Sequence, residues 1–544
     1  MQRIRPIHWL AFLIVLQAMF YAWFVIPTGD VPDESGHYAY VIDITKGRPL
    51  PVLGIMDNGR GYIPKNLWRD WGLAEDHKRI NYIVQHPPLY YAAAAVPYIV
   101  ASKFTSNKVI LSKITRMASA VCLGLLVIVI YRILLAVRVQ ESLAVAVSAW
   151  FALVPTVTLL AAGISNDIFL ALMCGLATLY LIRFIDRQHL QDAYWTAFWL
   201  ACAGATKMTA WILIAGFLGL LFFESRLRWR QWLVHAPLIV LLSCSTALWW
   251  MRRNMFFHNT PLYVFGSDKA PLIPDYSIWE YFQKQPFFDW LFEHFHGFAG
   301  FSGYCNSAAT FEIAEKFCKG TRLTVVQGIS LNVFVYTSLT LAAVLLACTI
   351  WRAIKGPAGD REGPQTQILI PPASSPQSLI SGLLATVRLE QWTAAVVFLL
   401  VALATAFVLL PNSFKVDLRY SWQMQSVATM LMMSAFVGAA LVLRSREPLD
   451  RVLAYGTQLL CLFVLFLFLK AHEGYTITAR VSGVHGRYLF PFIPLLIASF
   501  GVVLGRMQQS VAVVLVVGVT IALAWSHTNA YMNHLLPFFL LVRL

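Results

Sequence analysis

Residues 8–26 read HWLAFLIVLQAMFYAWFVI, and residues 30–37 read DVPDESGH. The first stretch has no charged side chain, and a helix needs about 20 apolar residues to cross the hydrocarbon core. Arg3 and Arg5 precede it, and basic residues of this kind stay in the cytoplasm. Because no small-residue cleavage pattern follows, we expect a retained anchor and not a removed signal peptide. The sequence therefore predicts a cytoplasmic N-terminus, with the chain from Thr28 onward outside.

The rest of the chain continues this apolar pattern. Of its 544 residues, 58% are hydrophobic and 13% are charged, whereas a soluble domain has roughly 45–50% and about 25%. A soluble globule is excluded. Lys and Arg outnumber Asp and Glu by 42 to 27, a net charge of +15, but they lie between apolar runs and form no basic patch, which argues against a nucleic acid partner. A basic excess so distributed is typical of a multi-pass membrane protein.

The apolar runs predict an all-α polytopic membrane protein with about 12–14 transmembrane helices and amphipathic helices in its outer loops. The candidate spans after the first are Met117–Val137, Ser142–Ala162, Ile168–Ile182, Trp195–Thr206, Met208–Phe223, Trp232–Met251, Thr324–Trp351, Trp392–Leu410, Val427–Leu443, Val452–Leu469, Leu489–Gly505 and Val511–Trp525. The pair around Lys207 is short, which predicts a broken or tilted hairpin. A single crossing at Pro87–Ser102 would reverse every later loop, so we expect Pro87–Arg116 to re-enter or to cross twice.

Loop composition divides the chain into three parts. Residues 1–351 form an N-terminal transmembrane module, with a catalytic outer loop at 28–86 and an aromatic outer loop at 252–322. Residues 352–391 are rich in Pro, Gly, Ser and Gln and predict a cytoplasmic linker. Residues 392–544 supply the C-terminal transmembrane helices.

Acidic residues and an imidazole follow the first span directly. Asp33 and Glu34 are adjacent at a low-dielectric boundary, where each raises the proton affinity of the other, and this poises a general base. A solvated helix start is the alternative. His37 shares a helical face with Glu34, so the two could hold a divalent cation together with Asp33. The sequence leaves the metal open.

Basic residues also flank several spans, where a cation is costly unless it reaches water or meets an anion. They are Arg116, Lys207, Arg252, Arg253 and Arg487. The predicted topology puts Lys207, Arg253 and Arg487 on the same outer side as Asp33 and Glu34. An anionic lipid headgroup is the natural partner for such a group.

The aromatic outer loop holds two weaker signals. Cys305 and Cys318 could pair in an oxidising compartment, or be unrelated thiols. His294 and His296 have a weak metal-ligand spacing. The chain contains no phosphate-binding Gly-rich loop, no Gly-x-Ser-x-Gly and no His-Glu-x-x-His, which argues against a nucleotide-driven motor, an esterase of that type and a zincin.

Six short motifs follow one another along the chain. They are Pro32-Asp33-Glu34-Ser35-Gly36-His37, Pro87-Pro88-Leu89-Tyr90-Tyr91, Ser165-Asn166-Asp167, Ala205-Thr206-Lys207, Trp250-Met251-Arg252-Arg253-Asn254 and Gly486-Arg487-Tyr488-Leu489-Phe490-Pro491. From about Asp30 to Pro491 the chain resembles a poorly characterised bacterial family of the GT-C glycosyltransferase superfamily, which also contains protein O-mannosyltransferases and the aminoarabinose transferases of lipid A.

This resemblance implies a glycosyltransferase of the bacterial inner (plasma) membrane, acting on its outer, periplasmic face. Its donor would be a sugar on a polyprenyl phosphate, and its acceptor an envelope glycan, lipid or protein. Asp33 or Glu34 would be the base, with inversion at the sugar, and Asp167 matches a second acidic position. The residues expected to bind the donor are His37, His86, Lys207, Arg253, Arg487 and Tyr488.

Two other functions remain open on the sequence. An envelope polymerase or ligase would use a lipid-diphosphate donor, but that class relies on Arg and His in a large outer loop and leaves the acidic pair unexplained. A transporter or flippase would favour ionisable groups near the middle of its spans, whereas here the acids cluster at one surface.

Overall fold

The computed structural model describes the first two-fifths of the chain most completely. The described residues are 5–29, 31–47, 50–54, 61–63, 79–226, 229–263, 270–285, 287–288, 291, 428–429, 432–433, 436, 448–479, 484–505 and 509–532. The predicted spans Thr324–Trp351 and Trp392–Leu410, the linker 352–391, the Cys305–Cys318 pair and the His294 spacing lie outside them.

Helices account for nearly all the regular structure that is described. They are α1 (Pro6–Phe20, followed by a π-helical turn at Tyr21–Val25), α2 (Glu34–Thr45), α3 (Leu89–Ser102), α4 (Lys108–Ala136), α5 (Glu141–Ser148), α6 (Pro155–Ala161), α7 (Asn166–Arg187), α8 (Leu190–Gly204), α9 (Ala210–Glu224), α10 (Trp229–His258), α11 (Ile278–Lys284), α12 (Pro448–Thr478), α13 (Ile493–Leu504) and α14 (Gln509–Ala530). Short 3₁₀ turns cover Tyr82–Gln85, Phe151–Leu153 and Gly486–Phe492. Two-residue strands β1 (Tyr62–Ile63) and β2 (Arg79–Ile80) pair antiparallel.

Six helical segments of this part of the chain are long and apolar enough to cross a membrane. They are Pro6–Val25, Lys108–Ala136, Asn166–Arg187, Trp229–His258, Ala454–Thr478 and Gly486–Leu504. The stretch from Glu141 to Ala161 qualifies only as a pair bent by 74°. The predicted span at Ser142–Ala162 is therefore a bent one, because Pro155, which lacks an N–H, starts a new helix there. The all-α polytopic class is confirmed.

The helix that carries Arg116 is longer than predicted. We expected a span from Met117, but α4 begins at Lys108, where the Asn107 side chain accepts hydrogen bonds from the N–H groups of Val109 and Ile110 at 3.0 and 3.3 Å. At about 1.5 Å per residue its 29 residues measure about 43 Å, more than the roughly 30 Å hydrocarbon thickness. The charged first turns therefore extend past the apolar layer.

The segment before α4 does not run the length of the bundle. α3 packs along the first turns of α4 in the opposite direction, with Tyr90 Oη 2.8 Å from Ser119 Oγ. The Tyr38 hydroxyl contacts the Lys108 carbonyl at 3.4 Å and its ring lies edge-on to Tyr98. α3 and the start of α4 thus form a hairpin at one end of the bundle.

Contacts at the two ends of the bundle show which segments lie together. The first, the site end, holds the end of α1 and the start of α7. At the second, Arg138 lies 3.6 Å from Asp186 and Arg451 lies 2.7 Å from Glu224. These basic residues lie together at the end of the bundle opposite the site.

The hairpin around Lys207 is short, as the sequence indicates. α8 and α9 have 15 residues each, or about 22 Å, and Lys207 lies in the turn between them. The Leu89 N–H donates to the Ala205 carbonyl at 3.0 Å, which ties this turn to the start of α3. A turn carried on helices this short lies deeper than one that reaches the surface, which accounts for the burial of Lys207.

Candidate active site

Four charged side chains from four distant segments meet at the site end. Lys207 Nζ lies 2.6 Å from Asp167 Oδ1, and Arg487 Nη2 lies 2.5 Å from Asp33 Oδ2. Arg487 also faces the second carboxylate, with Nε 3.9 Å from Asp167 Oδ2. These two acids and two cations, which we call the charged cluster, were predicted to lie on one side of the membrane. The structure brings them into contact.

Asp33 enters this cluster through an unusual backbone conformation. It precedes α2 with φ 61° and ψ 7°, the left-handed region that Asp tolerates better than most residues. Its carbonyl accepts a hydrogen bond from the His37 N–H at 3.0 Å. Its carboxylate accepts from the Tyr82 hydroxyl as well as from Arg487. The side chain remains 24% exposed, so it is the acid of the cluster that a substrate can reach.

Asp167 is held at the start of a helix. Ser165 is the N-cap of α7, and its hydroxyl accepts from the Asp167 N–H at 3.3 Å and contacts the Asp167 carboxylate at 3.2 Å. A carboxylate in the first turn also meets the positive end of the helix dipole. Lys207 lies opposite, with its ammonium 5.2 Å from the centre of the Tyr488 ring. Asp167 is only 2% exposed.

Glu34 lies in a different environment from Asp33. Arg116 binds it with two hydrogen bonds, Nε to Oε1 at 2.6 Å and Nη2 to Oε2 at 2.7 Å. The backbone N–H groups of Gly29 and Ile164 add bonds at 2.8 and 3.1 Å. The remaining guanidinium hydrogens are donated at 2.7–2.8 Å to the carbonyls of Ala22, Ile26 and Pro27. Four accepted hydrogen bonds fill a carboxylate, so Glu34 has no lone pair left for an acceptor proton.

The charges around Asp33 decide its protonation. Burial alone would raise the pKa of Asp33, but Arg487, His37 and the Tyr82 hydroxyl together hold that pKa below its usual range. The carboxylate is therefore ionised at neutral pH, and the raised proton affinity that the sequence predicts for Asp33 is wrong. Burial lowers the pKa of His37 to about 4, against the opposing charges of Asp33 and Asp167. His37 is therefore neutral at the same pH.

Neutral polar groups lie beside the charged cluster. His37 Nδ1 is 2.9 Å from the Tyr91 hydroxyl, which also accepts from Asn166 Nδ2 at 3.2 Å. The Tyr40 ring stacks on Tyr91 at 4.1 Å, and its hydroxyl donates to the carbonyl of His86 at 3.3 Å. Both predicted histidines thus belong to one aromatic and polar layer at the site.

Arg253 is placed with other partners. Its Nη2 donates to the Pro51 carbonyl at 2.6 Å, and its guanidinium lies 4.4 Å from the centre of the Trp250 ring. The Trp250 indole N–H donates in turn to the Gln85 carbonyl at 3.1 Å. No ion pair joins Arg253 to the charged cluster among the described residues.

The cation site considered on the sequence required Asp33, Glu34 and His37 to converge. Glu34 is bound to Arg116 and His37 to Tyr91, so the three do not converge on one point. Within the described ranges, no group of three His, Cys, Asp or Glu side chains is arranged to hold a metal ion.

Sequence reasoning missed three contributors. Arg116 resembles the other basic residues that flank spans, because Lys108 and Lys113 lie close to it in the sequence. Tyr82 lies four residues before His86, and Tyr91 ends the Pro-Pro-Leu-Tyr-Tyr motif. Neither tyrosine carries a signal that separates it from the other aromatic residues of the loop.

Comparison with known proteins gives one family match. Residues 85–250 match the family model of dolichyl-phosphate-mannose-protein mannosyltransferases. The match includes His86, Asp167 and Lys207 and excludes Asp33 and Arg487. It confirms the resemblance to protein O-mannosyltransferases over that stretch. No curated protein sequence matches the chain significantly.

Among solved structures the chain is similar to ArnT from Cupriavidus metallidurans in the apo state, with 14% identity and a TM-score of 0.31, over 94% of this chain and 77% of that one. The same protein bound to undecaprenyl phosphate has 12% identity and a TM-score of 0.30, over 95% of this chain and 78% of that one. The oligosaccharyltransferase of Archaeoglobus fulgidus tethered to an acceptor peptide has 13% identity and a TM-score of 0.33, over 96% of this chain and 55% of that one.

Proposed function

We propose that this protein is a membrane glycosyltransferase that moves a sugar from a polyprenyl-phosphate donor to a hydroxyl of an envelope glycan, lipid or protein. The observation that carries the proposal is the charged cluster: a reachable, ionised Asp33 is paired with Arg487, which also faces the Asp167–Lys207 pair at one end of a membrane bundle. The family match over residues 85–250 supports it.

Asp33 is the base in this proposal. Two hydrogen bonds occupy its carboxylate, which leaves two lone pairs for an acceptor hydroxyl. As Asp33 takes the proton, the acceptor oxygen forms a bond to the anomeric carbon. The bond from that carbon to the phosphate oxygen breaks, and its electron pair leaves with the polyprenyl phosphate. Attack opposite the leaving group inverts the anomeric configuration.

Lys207 and Arg487 stabilise the departing phosphate. Fixed cations lower a barrier most where negative charge develops in the transition state. Arg487 Nε is buried and has no hydrogen-bond acceptor among the described residues, because its distance of 3.9 Å to Asp167 is too long for a hydrogen bond. That N–H is available for a phosphate oxygen. Asp167 then holds the Lys207 ammonium in place.

The proposed location is the bacterial inner membrane, with the site end facing the periplasm. The basic loops that contain Arg138 and Arg451 lie at the opposite end, and such loops stay in the cytoplasm. The donor and the acceptor would meet outside, where envelope glycans and lipids are assembled.

Reconstitution in liposomes tests the proposal. The protein is incubated with a cell-envelope fraction and a hexose on either polyprenyl monophosphate or polyprenyl diphosphate. We expect release of polyprenyl monophosphate from the first donor, coupled to labelling of the envelope fraction, and none with an Asp33→Asn variant. Turnover of the diphosphate donor alone would indicate a polymerase or ligase. Movement of lipid across the bilayer without sugar release would indicate a flippase.

A further inference from the structure

A second row of polar groups lies beside the charged cluster. Each member is connected to one charged residue, either through the backbone or through a hydrogen bond of its segment. The His37 N–H bonds the carbonyl of Asp33 at 3.0 Å. Asn166 precedes Asp167 in the first turn of α7. The segment that carries His86 continues into Leu89, whose N–H bonds the turn of Lys207. We call His37, Asn166 and His86 the neutral row.

Buried polar atoms in this row lack partners in the part of the chain that the structure describes. They are His86 Nδ1 and Asn166 Oδ1. Leaving such an atom unpaired costs about 1–3 kcal/mol, so buried polar groups are nearly always bonded. Asn166 directly precedes Asp167 in α7, and His86 lies close enough to Lys207, Asp167 and Asp33 for their charges to act on its ring.

The hydrogen bonds around Tyr91 determine which ring nitrogen of His37 carries a hydrogen. Asn166 Nδ2 donates to the Tyr91 oxygen, and the other bond of that hydroxyl is to His37 Nδ1. We assign the Tyr91 hydrogen to this second bond, which makes Nδ1 the acceptor. A neutral imidazole then carries its hydrogen on Nε2, the ring nitrogen that does not contact Tyr91. The row thus offers an N–H, an amide oxygen and an imidazole nitrogen, all uncharged.

Each of these three atoms can form a hydrogen bond with a hydroxyl group. A hydroxyl both donates and accepts, so it can satisfy an amide oxygen, a ring nitrogen and an N–H in turn. A sugar amine would need a carboxylate of its own, but Asp167 is paired with Lys207, and the acceptor hydroxyl takes the free lone pairs of Asp33. A sugar carboxylate would compete with the donor phosphate for Lys207 and Arg487.

We propose that the neutral row binds the hydroxyls of the transferred sugar and selects an uncharged sugar over one that carries an amine or a carboxylate. The inference rests on the proposed function, which supplies the polyprenyl-phosphate sugar. It adds a division of labour: the charged cluster binds the phosphate and activates the acceptor, and the neutral row recognises the sugar.

Direct binding separates these roles without any turnover. The protein in nanodiscs is titrated with short-chain polyprenyl monophosphate, with the same lipid phosphate bearing a hexose, and with one bearing an amino sugar. We expect the hexose form to bind about tenfold more tightly than the sugar-free lipid, since each net hydrogen bond contributes up to about a factor of ten. The amino-sugar form should bind no better than the sugar-free lipid.

Two variants locate the effect. His86→Phe and Asn166→Leu should each lose most of the tenfold gain and keep the affinity for the sugar-free lipid within about twofold, which also shows that they fold. Ser243→Ala is the matched control, because Ser243 Oγ in α10 is likewise buried without a described partner, and it should keep the full gain.

The outcomes are distinct. If both variants keep the gain, if they lose affinity for the sugar-free lipid equally, or if the amino-sugar form binds best, the neutral row does not recognise an uncharged sugar. If wild-type protein binds none of the three lipids, the proposed function itself fails.

Discussion

Asp33 and Glu34 are consecutive carboxylates, yet they lie in opposite surroundings. Glu34 is 1% exposed and accepts four hydrogen bonds, two of them from Arg116. Asp33 is 24% exposed and accepts two hydrogen bonds, and it shares its cation, Arg487, with Asp167. Glu34 joins α2 to α4, to Gly29 in the segment after the first span, and to Ile164, two residues before α7. Asp33 can exchange its hydrogen-bond partners.

This difference shows how one pair of acids serves both structure and chemistry. A saturated buried ion pair fixes geometry, and breaking it costs about 3–5 kcal/mol because a charge is left without a partner. A carboxylate with spare lone pairs can take a proton. Glu34 thus fixes the backbone from which Asp33 projects, and each role can be tested separately.

The largest expected effect is on catalysis at Asp33. Asp33→Asn should lower sugar transfer by about 10³-fold or more, because the amide cannot accept the proton, while the unfolding temperature stays near that of wild type. Transfer is measured by polyprenyl phosphate release, and folding by thermal unfolding in detergent. Asp186→Asn, at the opposite end beside Arg138, is the matched control and should keep full activity. Normal turnover by Asp33→Asn would remove Asp33 as the base.

The second expected effect is on stability at Glu34. Glu34→Ala and Arg116→Met should each destabilise the fold by about 3–5 kcal/mol. The double variant Glu34→Leu/Arg116→Met should be less destabilised than the sum, since it leaves no unpaired charge. Chemical unfolding in detergent measures all three.

Lys470→Ala is the control for that series, because it breaks an exposed pair with Glu473 and should cost less than about 1 kcal/mol. If Glu34→Gln abolished transfer without loss of stability, the roles of the two carboxylates would be reversed.

The third expected effect is on phosphate binding. Lys207→Met should weaken binding of sugar-free polyprenyl monophosphate by about 10- to 100-fold, the strength of a hydrogen bond to a charged group. Arg253→Met should change it by less than about threefold, because that guanidinium bonds the Pro51 carbonyl. An equal loss in both variants would return Arg253 to the phosphate site that the sequence predicts.

The smallest expected effect is a pH dependence of stability at His37. Its pKa is about 4 in the folded protein against about 6.5 in an unfolded chain. The unfolded state therefore binds more protons between these values, so stability falls as the pH falls from about 6.5 to 4, by about 2 kcal/mol at pH 5. His37→Gln should unfold with a shallower dependence in this window. An unchanged slope would mean that His37 does not stay neutral.

Much of the fold could be predicted from local sequence. A run of about 20 apolar residues has few alternatives to a membrane helix, so most of the predicted spans that fall within the described residues coincide with helices. The ends were less certain, because α4 begins among Lys108, Lys113 and Arg116, and charges at a helix start look like loop residues in a hydropathy profile. The break at Pro155 was missed because the flanking residues remain apolar.

The site could be predicted as a group of residues but not as an arrangement. Alternating crossings place Asp33, Lys207 and Arg487 at one end, whatever their contacts. The division between Asp33 and Glu34 depends on Arg116, 82 positions from Glu34, and on a left-handed backbone at Asp33. Neither has a local sequence signal. For the same reason the sequence could not separate Arg253 from the charged cluster.

The short hairpin of α8 and α9 has a consequence for the lipids around it. Two helices of about 22 Å fall roughly 8 Å short of a 30 Å hydrocarbon layer, and a bilayer meets a short hydrophobic span by thinning. A dimple in the leaflet beside the Lys207 turn would lower headgroups toward the ammonium, so a lipid donor could enter sideways without leaving the membrane. For the proposed lipid donor, we therefore expect the acyl-chain length of the bilayer to change access to Lys207 without any change in the residues that contact the donor.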